Sequence, residues 1–410
     1  MRRGTRISVL IPTRERADTL VSSLRTCTSQ DDDDLEIIVS DNFSSDGTRE
    51  VVDSFHDGRI RYLNTQERLG MSQNWEFALA HAEGDYVTFL GDDDGLLPGA
   101  IGDLRALVAE DGYEAVSWRS GGYCWPDHPA EAARNILTVP FGDSVSEFVS
   151  ASVLNEVLGC KRRYEELPGL YKGLAARSAV DRVIAEAGRF FCSQNPDIYS
   201  GVALACVVDA YLYSSRPYSL NGASRHSTGT SGMTDIRGGA PTQKFESEEN
   251  IPFHADLDVA PSIPILVAES LLQARDNMDS AKRFQVDLQV ALETSLRQAV
   301  TQSPQQHHDV VAAVLATARR NGMEVSRFER LASDLKNNPP AAGGQRLQTF
   351  EIGRDQVTVD CTRFQVKNVC DAAQLCKIML LLHDEGVFLD RSTFAAAAAR
   401  VASYVRRRFL

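Results

Sequence analysis

Three consecutive carboxylates, Asp92, Asp93 and Asp94, are the residues of this chain whose type and spacing most strongly suggest chemistry. They follow the apolar run Tyr86–Leu90, which is typical of a short strand. Adjacent carboxylates repel one another unless a cation neutralises part of their charge. Carboxylate oxygens suit Mg²⁺ or Mn²⁺, which usually bind substrate phosphates as well. The triplet therefore predicts a diphosphate–metal site, and the alternative is a solvated turn between two glycines.

Polar residues also follow two earlier apolar runs, Ile7–Ile11 and Leu35–Val39. In an open parallel sheet, ligands bind outside the carboxyl ends of the strands. These residues should therefore share one edge of the sheet with the triplet. They are Pro12, Thr13 and Arg14 after the first run, and Asp41 and Asn42 after the second.

The elements that must carry these residues alternate along the first 118 positions. Helical patterns, such as the one that contains Ile101 and Leu104, lie between apolar runs that predict strands. Such a β–α alternation predicts an α/β fold with a parallel sheet covered by helices on both faces. The five predicted strands are Ile7–Ile11, Leu35–Val39, Ile60–Leu63, Tyr86–Leu90 and Ala115–Trp118.

Composition narrows the class of protein. The 410 residues carry a formal net charge of −13 and are 43% hydrophobic, which permits real cores and argues against a dedicated nucleic-acid binder. No apolar run approaches the roughly 18 residues of a membrane span, so we expect no transmembrane segment and a cytoplasmic location. The eight cysteines include no CxxC pair, which favours reduced thiols without a metal or redox role.

Three motifs carry a resemblance to a known family. They are ISVLIPTRER at 7–16, IIVSDN at 37–42 and GDYVTFLGDDD at 84–94. In this order and spacing they resemble a family 2 glycosyltransferase of the GT-A fold, over about residues 5–230. The resemblance implies a mostly parallel sheet sandwiched by helices, a nucleotide diphosphate sugar as donor, and Mn²⁺ or Mg²⁺ as cofactor.

The resemblance also implies roles by position. Asp41 matches the acid that hydrogen-bonds the base, which favours UDP or dTDP donors. Asp94 matches the direct metal ligand, and Asp92 a metal ligand or a ribose contact. Gly91 stands where the commoner motif has an acid, so the division of ribose and metal contacts between Asp92 and Asp93 stays open. The residues expected to line the nucleotide and its phosphates are Pro12, Thr13, Arg14, Asn42, Arg68, Gly70, Asn74, Asp92 and Asp93.

Two later residues complete the implied site. Asp197, in the sequence Asn195-Pro196-Asp197, resembles the acceptor-side acid and is expected to be the catalytic base; the alternative is a helix cap. His226 resembles a late histidine that joins the metal or diphosphate, and the alternative is a loop histidine without a ligand. Helical patterns such as Val145–Leu158 and a loop at 221–232 surround these residues.

The chain is expected to divide into a GT-A domain at 1–235, a linker at 236–264 and a mainly helical C-terminal domain at 265–410 with a small β-hairpin. The last domain could bind the acceptor or form a homo-oligomer. Its final helix, Phe394–Phe409, ends in three arginines, which leaves weak peripheral membrane contact open.

The function expected from these features is an inverting, metal-dependent hexosyltransferase. It would move a sugar to a hydroxyl of a glycan, a lipid-linked glycan or a small metabolite. One alternative is a catalytically degenerate GT-A protein that serves as a nucleotide-binding scaffold. Another is a sugar-1-phosphate nucleotidyltransferase, which should carry a glycine-rich loop where this chain has Pro-Thr-Arg-Glu-Arg.

Overall fold

The computed structural model describes residues 5–227, 251–337, 350–352 and 355–386. The strands in these residues are β1 (Ile7–Thr13), β2 (Leu35–Asp41), β3 (Ile60–Asn64), β4 (Tyr86–Phe89), β5 (Gly95–Leu96), β6 (Ala115–Trp118), β7 (Gly121–Cys124), β8 (Ile136–Pro140), β9 (Val145–Val149), β10 (Gly173–Ala176), β11 (Ala210–Ser214), β12 (Ser219–Ala223), β13 (Phe350–Ile352) and β14 (Gln356–Asp360). The α-helices are α1 (Ala17–Thr28), α2 (Thr48–Asp53), α3 (Met71–Ala80), α4 (Ala100–Asp111), α5 (Ser150–Leu158), α6 (Arg177–Ala187), α7 (Pro196–Val207), α8 (Ile263–Asn277), α9 (Leu288–Ala299), α10 (Pro304–Arg320), α11 (Val325–Asn337) and α12 (Val369–Asp384).

The larger sheet has the strand order β3-β2-β1-β4-β10-β6-β11-β9. Strands β1 to β4 are parallel, and β10 runs antiparallel between β4 and β6. Thr13 pairs with Asp41, and Asp41 pairs with Asn64 in the register of the ladder. The carboxyl ends of these strands therefore lie side by side on one edge.

Alternation along β1 separates two hydrophobic cores. Ile7, Val9 and Ile11 belong to a core that includes residues of α1, α4 and α12, whereas Leu10 belongs to a core with residues of α3, α7 and α8. Successive side chains of a strand point to opposite faces, so both faces of this fully buried strand must be covered. The apolar stripes of the flanking helices supply that cover.

The smaller sheet has the order β13-β14-β8-β7-β12-β5 and lies beside the Asp92–Asp94 turn. Strand β5 follows the turn directly and pairs with β12. Strand β14 from the C-terminal part of the chain pairs with β8 over its whole length. The turn is thus bordered by strands that are distant in sequence.

The predicted fold class is confirmed, and all five predicted strands are present. Two predictions differ from the structure. Val145–Val149 is a strand rather than a helix because it pairs along β11. Residues 221–223, predicted as loop, extend β12 because they pair with β7. Both differences come from partners that are distant in sequence.

The C-terminal region is not a single separate unit in its packing. Helices α9, α10 and α11 enclose a third core, centred on Leu292, Leu296 and Val314. In contrast, α12 packs into the first core, where Val369 contacts the position of Gly95. The apolar side chains of α12 therefore complete the N-terminal core, and the expected division of the chain into domains stays a prediction.

Parts of the expected linker and tail lie outside the described residues. These are residues 236–250 of the linker and the final helix with Arg406, Arg407 and Arg408. Ile251, Leu257 and Ala260, at the other end of the linker, are buried. No helix in the described ranges combines the length and the apolar character that a membrane crossing requires.

Candidate active site at the carboxyl ends of the strands

The Asp92–Asp94 turn connects β4 to β5 and is almost fully buried. Asp92, Asp93 and Asp94 are 3%, 6% and 3% exposed. Burial of three adjacent carboxylates is unfavourable unless each finds a donor or a cation. Each of the three indeed has its own set of partners.

Asp92 pairs with Arg16, whose Nη1 lies 2.7 Å from Oδ1 of the carboxylate. The other terminal nitrogen of Arg16 donates to the main-chain carbonyl of His226. Burial raises the pKa of Asp92, and the Arg16 charge opposes that rise. Arg16 thereby joins the turn to the segment after β12.

Asp93 accepts hydrogen bonds from that same segment. Its Oδ2 lies 3.2 Å from the amide nitrogen of Ser224 and 2.7 Å from the Ser224 hydroxyl, and it also accepts from the Ser227 hydroxyl. The indole nitrogen of Trp125 donates to the main-chain carbonyl of Asp93 at 3.0 Å. These bonds hold the middle of the turn in one orientation.

Asp94 orders the turn from within. Its Oδ2 accepts from the Gly91 amide at 3.0 Å and the Tyr171 hydroxyl at 2.6 Å, and its Oδ1 accepts from the Gly222 amide at 2.6 Å. Burial, together with the Asp93 charge, raises the pKa of Asp94 to about 7. These bonds tie the turn to Tyr171 and Gly222, and the expected role of Asp94 as a metal ligand stays a prediction.

Gly91 explains why this chain departs from the commoner motif. A Cβ at Gly91 would lie 2.7 Å from Oδ2 of Asp94, so the Asp94 carboxylate would have to shift to admit a side chain there. The space that an acid at position 91 would need is filled by the Asp94 carboxylate. The two features therefore belong together.

The donor set fits a hard divalent cation in part. Oδ2 of Asp92 and Oδ1 of Asp93 accept no hydrogen bond within the described part of the chain. The buried Thr13 hydroxyl has no partner of good hydrogen-bond geometry among the described residues, but it is close enough to the Asp92 carboxyl to lower the pKa of that group. No three His, Cys, Asp or Glu side chains in those residues are grouped so as to hold a metal by themselves. A cation here would need substrate phosphate and water oxygens to complete its shell.

His226 does not point toward the triplet. Its Nε2 lies 3.3 Å from Oδ2 of Asp18 and 2.9 Å from Nε of Arg225. Only its main-chain carbonyl reaches the site, through Arg16. The structure thus places the His226 imidazole away from the carboxylates with which it was expected to share a metal.

Asp41 lies at the end of β2 as expected, but its carboxylate is 1% exposed. Oδ2 accepts from the Tyr62 hydroxyl at 2.5 Å and the Asn64 amide at 3.1 Å, and Oδ1 accepts from the Ser44 amide nitrogen at 3.0 Å. These bonds close the turn after β2. A contact with a base remains a prediction.

The other residues expected at the nucleotide gather on the same edge. Asn42 bonds both main-chain groups of Leu69, and Arg68 pairs with Glu15 at 2.7 Å. Gly70 is the N-cap of α3. The remaining members have supporting places: Asn74 is buried and bonded to Ser40, whereas Pro12 and Arg14 are half-buried at the end of β1.

Asp197 lies in the first turn of α7, and Oδ2 of its carboxylate accepts from the Tyr164 hydroxyl at 3.1 Å. Burial raises the pKa of Asp197, while Lys172 and Tyr164 oppose the rise. The Lys172 ammonium lies 5.2 Å from the ring centroid of Tyr171. The Tyr171 hydroxyl donates a hydrogen bond to Asp94. Tyr171 therefore connects the Asp197 side of the site to the triplet.

Four site residues were not assigned roles from the sequence: Arg16, Tyr171, Lys172 and Gly222. Arg16 lies within the first motif, so its position after β1 was a signal. Nothing in local sequence marked the other three, because their contacts depend on the antiparallel β10 and on β12. Gly222 is a strict requirement of the packing, since its Cβ would lie 1.8 Å from the Asp93 carbonyl oxygen.

Comparison with known proteins agrees with the motifs. Residues 8–164 match the family model described as glycosyl transferase family 2. The resemblance recognised from the sequence is therefore confirmed over residues 8–164.

Characterised relatives match over a similar stretch. The GalNAc(5)-diNAcBac-PP-undecaprenol β-1,3-glucosyltransferase of Campylobacter jejuni is 43% identical over 114 residues, which are 27% of this chain and 37% of that protein. The UDP-Glc:α-D-GlcNAc-diphosphoundecaprenol β-1,3-glucosyltransferase WfgD of Escherichia coli is 32% identical over 88 residues, 22% of this chain and 35% of that protein. This chain thus spans little more than a third of either relative.

Among solved structures, S. aureus TarS 1–349 in complex with UDP-GlcNAc aligns with a TM-score of 0.49 and 15% identity. The alignment covers 85% of this chain and 95% of that chain. A likeness of this degree carries no argument about function.

Proposed function

We propose that this protein is an inverting glycosyltransferase that moves a hexose from a nucleotide diphosphate sugar to an acceptor hydroxyl. The observation that carries the proposal is the Asp92–Asp94 turn, buried at the carboxyl ends of parallel strands within the region that matches the family 2 model. A solvated turn would not bury three carboxylates in this way. The scaffold alternative lacks a reason for the two open carboxylate oxygens beside Thr13 and Arg16.

UDP-glucose is the first donor to test, and dTDP sugars come second. One relative is named for UDP-Glc, and an acid at the end of β2 suits a base with a ring N–H donor. For that contact, Asp41 would have to exchange one of its present donors, Tyr62 or Asn64, for the base. A lipid-linked sugar diphosphate is the acceptor class suggested by the names of both relatives.

Asp92 and Asp93 would hold Mn²⁺ or Mg²⁺ through their open oxygens, with Asp94 fixing the turn that presents them. When bound, the cation would offset charge on the departing nucleoside diphosphate. In this proposal Asp94 and His226, which the sequence suggested as further ligands, have supporting roles instead. Without a cation, the Arg16 guanidinium balances the charge of one of the three carboxylates, Asp92.

Asp197 would accept the proton of the attacking hydroxyl. General-base catalysis needs a pKa that is not far below the working pH, and burial shifts the pKa of Asp197 upward. The Tyr164 hydroxyl holds the carboxylate in one orientation. Attack from the side opposite the leaving diphosphate requires a base outside the nucleotide-binding strands, which the start of α7 satisfies.

The proposal is tested by calorimetric titration of UDP with and without Mn²⁺, on the wild type and three isosteric variants. Asp93→Asn should lose the metal-dependent part of UDP affinity. Asp94→Asn should lose less of it, because its oxygens already serve the protein. Asp103→Asn, at an exposed position of α4, is the matched control.

Catalysis is then measured as UDP release from UDP-glucose, with and without a GlcNAc-diphosphoryl lipid. Release that depends on the acceptor supports transfer. UDP binding without turnover of any sugar nucleotide in a donor panel would instead favour the scaffold alternative. Formation of a sugar nucleotide from a sugar phosphate and a nucleoside triphosphate would favour a nucleotidyltransferase.

A further inference from the structure

Glu269 is a buried carboxylate that the proposed chemistry does not use. It lies in α8, outside the region that matches the family, and its side chain is 0% exposed. Its Oε2 accepts from the Ser193 hydroxyl at 2.5 Å, and its Oε1 accepts from the Gln273 amide at 2.9 Å. A carboxylate in such surroundings is stable only while these donors remain in place.

Ser193 belongs to the segment that leads into α7 and Asp197. The Ser193 hydroxyl, which donates to Glu269, also accepts from the Asn195 amide nitrogen at 3.2 Å. Asn195 is the N-cap residue of α7, two positions before Asp197. The chain of bonds from Glu269 therefore ends at the turn that sets the direction of the candidate base.

Hydrogen bonds also join the same segment to α3, on the nucleotide side of the proposed site. The Ser72 hydroxyl, in the first turn of α3, donates to the Ser193 carbonyl at 2.6 Å. Glu76, one turn later in α3, accepts from the amide nitrogens of Phe190 and Phe191. Residues 190–195 thus lie between α3 and α8, with hydrogen bonds to both.

Helix α8 also supports α7 through apolar contacts. Leu271 and Ala274 of α8 share a buried core with Tyr199 and Val202 of α7. The Tyr199 hydroxyl lies 3.9 Å from the sulfur of Met278, just after α8. One polar contact adds to this packing: the side-chain amide of Gln194 donates a hydrogen bond of 2.5 Å to the main-chain carbonyl of Ile251. Packing holds the body of α7, whereas Glu269 holds the turn at its beginning.

We propose that Glu269 is a positioning residue for Asp197, and that α8 supports the acceptor side of the proposed site. The inference rests on the proposed role of Asp197 as base. Apolar packing alone would let α7 rotate or slide slightly, because dispersion contacts have little directionality. A buried, charge-assisted hydrogen bond is short and directional, so it fixes the first turn. Misplacement of a catalytic group by about 1 Å can cost about 10²-fold in rate.

The test compares Glu269→Gln and Glu269→Leu with Glu329→Gln, the same amide substitution at an exposed position of α11. In Glu269→Gln the amide group replaces one acceptor oxygen, so either Ser193 or Gln273 loses its acceptor. In Glu269→Leu the volume is kept but both acceptors are lost. Chemical denaturation identifies any variant that is unfolded at the assay temperature. The measurements on such a variant are then made at a lower temperature.

The expected result separates acceptor chemistry from donor binding. Hydrogen exchange of amides 193–199 should become at least about tenfold faster in Glu269→Leu and change less in Glu269→Gln, which can keep an acceptor for Ser193, while peptides covering 86–96 stay unchanged. UDP affinity should stay within about twofold of wild type, and kcat for transfer from UDP-glucose to the GlcNAc-diphosphoryl lipid should fall about 10–100-fold. Glu329→Gln should match the wild type in all three measurements.

Two outcomes would overturn the inference. One is unchanged exchange at 193–199 in Glu269→Leu. The other is a loss of transfer accompanied by an equal loss of UDP affinity, which would indicate general destabilisation. A wild-type protein that binds no UDP and transfers no sugar would refute the proposed function instead, and the exchange measurement would still decide whether Glu269 holds the turn.

Discussion

Removal of the Tyr171 hydroxyl is the most direct test of how Asp94 orders the carboxylate turn. The hydroxyl lies 2.6 Å from Oδ2 of Asp94 and 3.0 Å from Oδ1 of Asn221. Burial and the Asp94 charge raise the pKa of Tyr171 far above its usual value, so the phenol stays a donor. Tyr171→Phe keeps the ring in its place between Trp75 and Lys172 and deletes only the donor.

The magnitude follows from the kind of bond that is lost. A hydrogen bond to a charged group contributes about 1.5–3 kcal/mol, and one between neutral groups about 0.5–1.5 kcal/mol. Asp94, with its pKa raised to about 7, is mostly ionised at pH 8.5 and mostly protonated at pH 5.5. The free energy of unfolding should therefore drop by about 1.5–3 kcal/mol at pH 8.5 and by less at pH 5.5.

The sign of the pH dependence is fixed by linkage. A buried carboxyl whose folded pKa lies above its unfolded pKa stabilises the fold at low pH, and that contribution is lost as pH rises through about 7. Tyr171→Phe removes a group that favours ionised Asp94, so the pKa of Asp94 rises further. The loss of stability in the variant must then grow with pH.

The assay is urea unfolding at both pH values in the presence of EDTA, followed by kcat/KM for UDP release with Mn²⁺. If the turn must be ordered for catalysis, kcat/KM should fall about 10–100-fold. Tyr213→Phe is the control, because Tyr213 is half-buried and stacks on Phe148 at 4.9 Å, away from the triplet. An equal stability loss at both pH values, or kcat/KM within about twofold of wild type, would refute the reasoning.

Four further predictions concern other parts of the chain. Gly222→Ala should disrupt the turn and abolish activity because its Cβ would meet the Asp93 carbonyl, whereas Gly122→Ala, with open space in the same sheet, should retain activity; comparable activities would contradict this packing. Asp197→Asn should reduce transfer by at least about 10²-fold with UDP affinity kept, and near-normal transfer would leave Asp197 a structural acid. Lys172→Met should move the acid limb of the kcat/KM profile to higher pH, because it removes a charge that lowers the pKa of Asp197; an unchanged limb would count against Asp197 as base. Limited proteolysis should cut first within 238–264, and a first cut inside 86–108 would contradict the predicted domain division.

The strand edge that carries the candidate site could be predicted from the sequence because its signals are local. Five short runs with apolar residues, each followed by polar residues, were enough to place Thr13, Asp41 and the triplet on one edge. Parallel strands connected by helices leave little freedom for that edge to form elsewhere. The three motifs added the family, which the match over residues 8–164 confirmed.

The division of labour within the triplet depended on tertiary structure. Sequence order favoured Asp94 as metal ligand, but the Gly222 amide and the Tyr171 hydroxyl engage that carboxylate. Both donors lie more than 70 positions away, on strands or loops whose partners no local pattern reveals. The structure explains the glycine at position 91, because the Asp94 carboxylate occupies the space next to it.

The role of the C-terminal part shows the same limit. Sequence alone indicated a mainly helical region at 265–410 with a small β-hairpin, because those patterns have a local period. Only the folded chain shows that β14 extends the sheet beside the turn, that α12 fills the core behind it, and that Glu269 reaches the start of α7. Local periodicity identifies which face of an element is apolar, but it does not specify which distant element will cover that face.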